Sequence, residues 1–216
     1  MRSNLLTVAV LLGATACTPA PPSTPASQGA MSPELRQSLQ EIERRAREEE
    51  APRPRLTSLN DDAWRAIPED QLDAAVMAFI EGRILGQIGE PKPLASLPRG
   101  FQIFHVSFIV EAEVADGGFN QFFWNSSGES APQVPTALRA LGADEAATLF
   151  EQVLRVADQD SPRRAPFKAQ GSLQAFSDSY KGSPLNAFDK PFMELALKFP
   201  ALRIEYLKRH IEQFRE

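Results

Sequence analysis

From residue 56 onward, apolar residues recur three and four positions apart, and no stretch alternates with a period of two. That pattern predicts helices without a substantial sheet, so the expected class is all-α. Pro68-Glu69-Asp70 opens one helix with proline and first-turn acids, and Leu72, Val76, Ile80 and Ile84 form its stripe. Residues 101–114 are apolar nearly all round, with Phe101, Phe104, Phe108, Ile109 and Val110, and predict the central, most buried helix. Ser130-Ala131-Pro132-Gln133 reads as a capping box ahead of Val134, Leu138 and Leu141, with Gly142 as the stop. Asp144 is expected to cap a helix bearing Ala147, Phe150 and Leu154. A polar loop is expected over 158–166, then a helix marked by Leu173, Phe176 and Tyr180. The last predicted helix carries Ile204, Leu207, Ile211 and Phe214.

Upstream of residue 56 the pattern changes character three times. Residues 1–16 read as a signal peptide, with Met1-Arg2 as a positive start and residues 5–12 as an apolar run too short to span a bilayer. Ala14-Thr15-Ala16-Cys17 resembles the lipobox of bacterial lipoproteins, which makes Cys17 the expected lipidation site, although leucine is commoner at the position of Ala14. Ala14-Thr15-Ala16 would equally suit ordinary signal peptidase and plain secretion. The cysteine count favours the lipoprotein. Cys17 is the sole cysteine, and a lone thiol in an oxidising compartment is a liability unless it has a use. Thr18, rather than aspartate, follows it and points to the outer membrane, facing the periplasm.

Residues 17–30 are then a lipidated cysteine and an uncharged Pro/Ser/Thr/Ala linker with almost nothing to bury. Residues 31–52 predict a charged amphipathic spacer helix, with Ser32-Pro33 at its start and Leu35, Leu39, Ile42 and Ala46 on one face. Residues 56–216 form the single compact helical domain.

Charge and chemistry narrow the function more by exclusion than by assignment. The full chain carries −5, about −6 once Arg2 is removed with the leader, which argues against direct nucleic-acid binding. Residues 60–160 hold sixteen acids and six bases, whereas 161–216 hold six acids and ten bases. No glycine-rich phosphate loop, nucleophile elbow or zinc spacing occurs, and His105 and His210 lie far apart in sequence. The expectation is therefore a non-enzyme with no cofactor and no metal site. Its partner would be an unidentified protein of the cell envelope, and its only membrane attachment the lipid anchor.

One stretch is distinctive: residues 111–128, in which two acids end an apolar helix, Asp116-Gly117-Gly118 breaks it, and aromatic and amide residues follow. In a structural reading, Phe119, Phe122 and Phe123 bury while Asn120, Gln121 and Asn125 bond the loop. In a functional reading, Glu113, Asp116, Asn120 and Gln121 line a polar pocket beside Trp124. A hydrolytic or small-molecule variant would use Glu111, Glu113, Asp116 and Asn125.

The same residues carry a resemblance. Glu113-Val114, Gly117-Gly118-Phe119, Gln121-Phe122-Phe123 and Asn125-Ser126-Ser127 resemble the signature of the bacterial DNA-mimic-protein family, the domain of unknown function numbered 4375. Ala137-Leu138, Leu141-Gly142-Ala143 and Ala146-Ala147 extend it, while Asp116 stands where the family usually has asparagine. The resemblance implies an all-helical domain over most of the mature chain. For one branch it implies an acidic surface that imitates DNA and sequesters a transcription factor. That activity is cytoplasmic and would fit a chain begun at Met31. An exported chain fits an envelope-tethered interaction module instead.

Overall fold

Pro68 precedes a sixteen-residue helix, α1 (Glu69–Ile84), whose buried face is the expected stripe of Leu72, Val76 and Ile80. In the computed structural model, residues 56–60 and 62–216 are described; Cys17, the linker and the spacer segment lie outside them. The remaining helices are α2 (Arg99–Trp124), α3 (Val134–Ala140), α4 (Asp144–Gln170), α5 (Leu173–Ser179), α6 (Asn186–Ala196) and α7 (Phe199–Arg209). Short 3-10 segments join several of them, and the described residues contain no strand. The all-α expectation holds. These residues belong to one compact unit, Pro52–Glu216, and none of their helices is long and apolar enough to cross a membrane.

The central role expected of residues 101–114 is what α2 performs. It packs against α1, α3, α6 and α7, and Phe101, Phe104 and Val110 are fully buried. Phe101 meets Phe79 and Phe214 edge-on, at 5.7 and 5.6 Å between ring centres, a geometry that aligns ring edges with ring faces. A second aromatic cluster forms beyond the glycine pair, where Phe119 meets Phe192 at 5.1 Å and Phe150 at 5.7 Å. The two clusters hold the two halves of α2 in one core.

Elsewhere the local expectations change. The segment 158–166 is not a loop, because α4 continues through Pro162 and Pro166 to Gln170. Both prolines are exposed, so their rings point to solvent. The charged residues around them satisfy one another: buried Asp160 accepts from Arg163 Nε at 2.6 Å and Nη2 at 2.8 Å, and Arg164 donates to the Ala157 carbonyl. The helix α6 was not singled out by the pattern; Pro191 interrupts its reading, yet Phe192 and Ala196 bury. Ser130 does not cap a helix but donates to the Ser127 carbonyl inside a 3-10 segment, Ser126–Gln133. Asp144 is the first helical residue of α4 rather than its cap, which is Ala143. Leu173 is 88% exposed, and α5 buries Ala175 and Ser179 instead. Gly142 does stop α3. With φ of +80°, it lets Ala143 N–H reach the Leu138 carbonyl at 2.8 Å and Gly142 N–H the Arg139 carbonyl at 2.9 Å, the paired bonds of a Schellman end.

His105 sits half-buried on α2, and burial pushes its imidazole down to about 4. The unfolded chain binds that proton near pH 6.5, so the contribution to stability is complete above 6.5 and lost as pH falls to about 4. Glu81, Glu111 and Asp189 oppose this near the carboxylate range, because burial raises all three. The informative quantity is therefore a difference between two proteins. Between pH 7 and pH 4, wild type should lose about 2–3 kcal/mol more than His105→Gln. Parallel urea-denaturation curves for the two proteins across that range would contradict the assignment.

Candidate functional site

The distinctive stretch folds around a sharp break. The backbone leaves helical geometry at Gly117 (φ −152°, ψ 25°) and Gly118 (φ 68°, ψ −176°), so α2 is two helices, residues 99–116 and 119–124, meeting at a kink. Gly118 occupies a region that glycine alone enters readily. The restart is held from another element: Phe119 N–H donates to Asp189 Oδ1 on α6 at 2.8 Å. Tyr180, just after α5, donates its hydroxyl to the Gly117 carbonyl at 2.7 Å.

On one side of the kink, Glu113 gathers the polar residues. Its Oε2 accepts from Gln121 Nε2 at 3.0 Å and Asn125 Nδ2 at 2.8 Å, and its Oε1 accepts from the Ser127 hydroxyl. Gln121 Nε2 also donates to Asp116 Oδ2 at 2.8 Å. Glu113 therefore ties the last turn before the kink to the helix after it and to the following 3-10 segment. On the inner side, Asn120 is buried and donates to Ser179 Oγ at 2.6 Å, while its own Oδ1 has no donor among the described residues. Trp124 stacks edge-on against Phe176 at 5.1 Å.

Electrostatics follow from this crowding. Burial raises the Asp189 carboxyl, and the Phe119 N–H partly offsets that. Burial also raises the Tyr180 phenol, assisted by the charges of Asp189, Asp116 and Glu113.

The structure thus joins Glu113, Asp116, Gln121 and Asn125 in one polar cluster at the Gly117-Gly118-Phe119 break, whereas Asn120 turns inward onto Ser179 and Trp124 packs on Phe176. The cluster does not include Glu111. That carboxylate points to a different centre, where Arg203 Nη1 donates to Glu111 Oε2 at 2.7 Å. The same guanidinium forks onto Asp73 at 2.7 and 2.8 Å and lies over Phe104 and Phe108. Among the described residues no three His, Cys, Asp or Glu side chains converge as a metal site. The sequence pattern offers Tyr180 only as a helix marker and gives no sign of Asp189 or Ser179 at the kink, and no local spacing links Asp189 to a residue seventy positions earlier.

A family model described as DMP19-like protein matches residues 95–210, more than half of the chain. The chain belongs to the DMP19-like protein family. No curated protein and no solved structure matches it. Within the DMP19-like match fall the glycine kink, its Asp189 and Tyr180 supports, and Arg203 with Glu111. The first helix, α1, precedes the match and supplies Asp73 to the same buried fork.

The charge asymmetry along the sequence is partly folded away. Arg203 pairs with Asp73 and Glu111, and Lys208 lies 3.1 Å from Glu69. Asp62 pairs with Arg65, so the acids around residues 62–73 are mostly matched. Asp70, Glu81, Glu90, Glu129, Asp144, Glu145 and Asp158 are exposed and have no cationic partner among the described residues.

Proposed function

We propose that this member of the DMP19-like family is exported, lipid-anchored through Cys17, and acts as a non-catalytic module that captures a basic surface of an envelope protein. One observation carries the capture reading: exposed carboxylates stand without a cationic partner among the described residues, while Glu113, Asp116, Gln121 and Asn125 at the glycine kink bond to one another. An unmatched acidic surface attracts a basic partner over long range and sets its on-rate. The leader-like first sixteen residues and the lone Cys17 support the location.

The family supports a second reading, in which a chain begun at Met31 stays in the cytoplasm and occupies the DNA-binding surface of a regulator. One experiment separates the two: crosslinking of the tagged chain in its native host, with intact mass of the purified protein and identification of what it holds. The expected result is a diacylated mature chain beginning at Cys17, crosslinked to an envelope protein. An unmodified chain beginning at Met31, holding a DNA-binding protein, overturns the envelope reading in favour of mimicry.

A further inference from the structure

We propose that a groove between α4 and α6 is where the partner docks, and that it receives a basic amphipathic helix of that partner. The inference rests on the interaction-module reading and gives it a place. The groove is shallow and open to solvent, with a volume of about 610 Å3. Its α4 wall presents Asp144, Glu145, Thr148, Leu149 and Gln152, which recur on one helical face over more than two turns. The α6 wall presents Pro191, Glu194 and Leu195, again one face. Leu149, Pro191 and Leu195 make an apolar floor, and Leu197, 80% exposed, follows at the end of α6.

Charge selects the occupant. Carboxylates stand on both walls, Asp144 and Glu145 on one and Glu194 on the other, and among the described residues no lysine or arginine lines the groove. Lys190 approaches Glu194 only to 3.9 Å, with both side chains in solvent. The α4 N-terminus brings partial positive charge, but two full negative charges in its first turn outweigh it. An apolar stripe flanked by cations on both sides matches an apolar floor flanked by anions on both sides. Helices lodge in grooves through such anchors at i, i+3 and i+4. The rise from Asp144 to Gln152 along α4 is about 12 Å, room for two to three turns of a bound helix. A second hollow, about 480 Å3 beside Trp64 and Leu72, has lining charges of both signs and its cations already paired: Arg65 with Asp62, Lys208 with Glu69.

The test uses a labelled eighteen-residue peptide with leucine every third or fourth position and lysine on the remaining face, titrated against the full-length chain by fluorescence anisotropy. A scrambled peptide of the same composition is the control. The groove variant is Asp144→Asn/Glu145→Gln/Glu194→Gln. A second triple, Asp70→Asn/Glu81→Gln/Glu90→Gln, removes equal charge elsewhere. The amphipathic peptide should bind at least tenfold more tightly than the scrambled one. The groove triple should weaken it at least tenfold and flatten its salt dependence, while the second triple changes it less than twofold. Equal losses in the two triples, or no preference over the scrambled peptide, would overturn the groove.

Repeating the in-host crosslinking with the groove triple separates the two levels of the argument. Undiminished capture of the same protein removes the groove and leaves the module. A wild-type chain that captures no protein at all defeats the module itself, and this partner with it.

Discussion

Gly118→Ala should destabilise the domain by about 3–4 kcal/mol, combining backbone strain of roughly 1–3 kcal/mol with a lost helix cap. Gly118 has φ of 68° and ψ of −176°, which a Cβ disfavours regardless of surroundings. The surroundings add to this, because that Cβ would lie 2.7 Å from the Asp189 carboxyl carbon. Relieving the clash moves Asp189 off the Phe119 N–H, and the restarted helix loses the carboxylate that caps its first N–H from α6. Gly142→Ala is the matched comparison: φ is +80°, but no described residue lies within 4 Å of the added carbon. It should cost only about 1 kcal/mol, the ordinary penalty for a side chain at a left-handed cap. Urea denaturation followed by circular dichroism measures both. If the two variants lose the same amount, the contact between the kink and Asp189 contributes nothing.

The break itself was legible, because two adjacent glycines after an apolar helix and before an aromatic run leave few other conformations. What holds the break was not. Asp189 lies in a segment whose apolar spacing is interrupted by Pro191, so periodicity does not predict even its helix. The readable helices, α1, α2 and α7, each present one apolar stripe to one core, which is the case periodicity describes. Even so, α7 ends at Arg209, and Ile211 and Phe214, expected on the same helix, lie in a separate 3-10 segment, Ile211–Phe214. The error at 158–166 has the opposite cause. Two prolines and a run of Asp and Arg have the composition of a loop, but the prolines face solvent and the charges satisfy each other.

Surface chemistry was misleading for a related reason. Counting charges by position in the chain sets an acidic stretch, 60–160, against a basic tail, 161–216. Folding brings Arg203 and Lys208 from the basic tail onto Asp73, Glu111 and Glu69, so a count along the chain does not show which carboxylates, such as Asp144 and Glu145, are left unmatched among the described residues. Pairings across more than a hundred residues leave no trace in local composition.

Arg203→Ala should be the more severe substitution, at about 4–5 kcal/mol, because removing one member of a buried charged cluster leaves the others uncompensated. Arg203 is 1% exposed, and its guanidinium joins α1, α2 and α7 through Asp73 and Glu111. Burial would pull the guanidinium down, but the hydrogen bonds and charges of the two carboxylates outweigh it and hold it above its usual value. Glu111 behaves differently. Burial raises its carboxyl, Arg203 only partly counters this, and the neighbouring Asp73 charge raises it further. Both directions are consistent, since one cation serves two anions.

In the alanine variant the countering cation is gone, so the Glu111 carboxyl should rise further above its unfolded value. A group raised on folding favours the folded state below its unfolded pKa, and that advantage disappears as pH climbs through the folded pKa. The variant should therefore be less impaired near pH 5 than near pH 8, the reverse of the His105 trend. Replacing the whole cluster, as Asp73→Leu/Glu111→Leu/Arg203→Met, should recover most of the lost stability, since no charge then remains buried. Urea midpoints at the two pH values decide the matter. A triple replacement as unstable as Arg203→Ala would mean that the arginine acts through its packing on Phe104 and Phe108, and that the ion pairs add little.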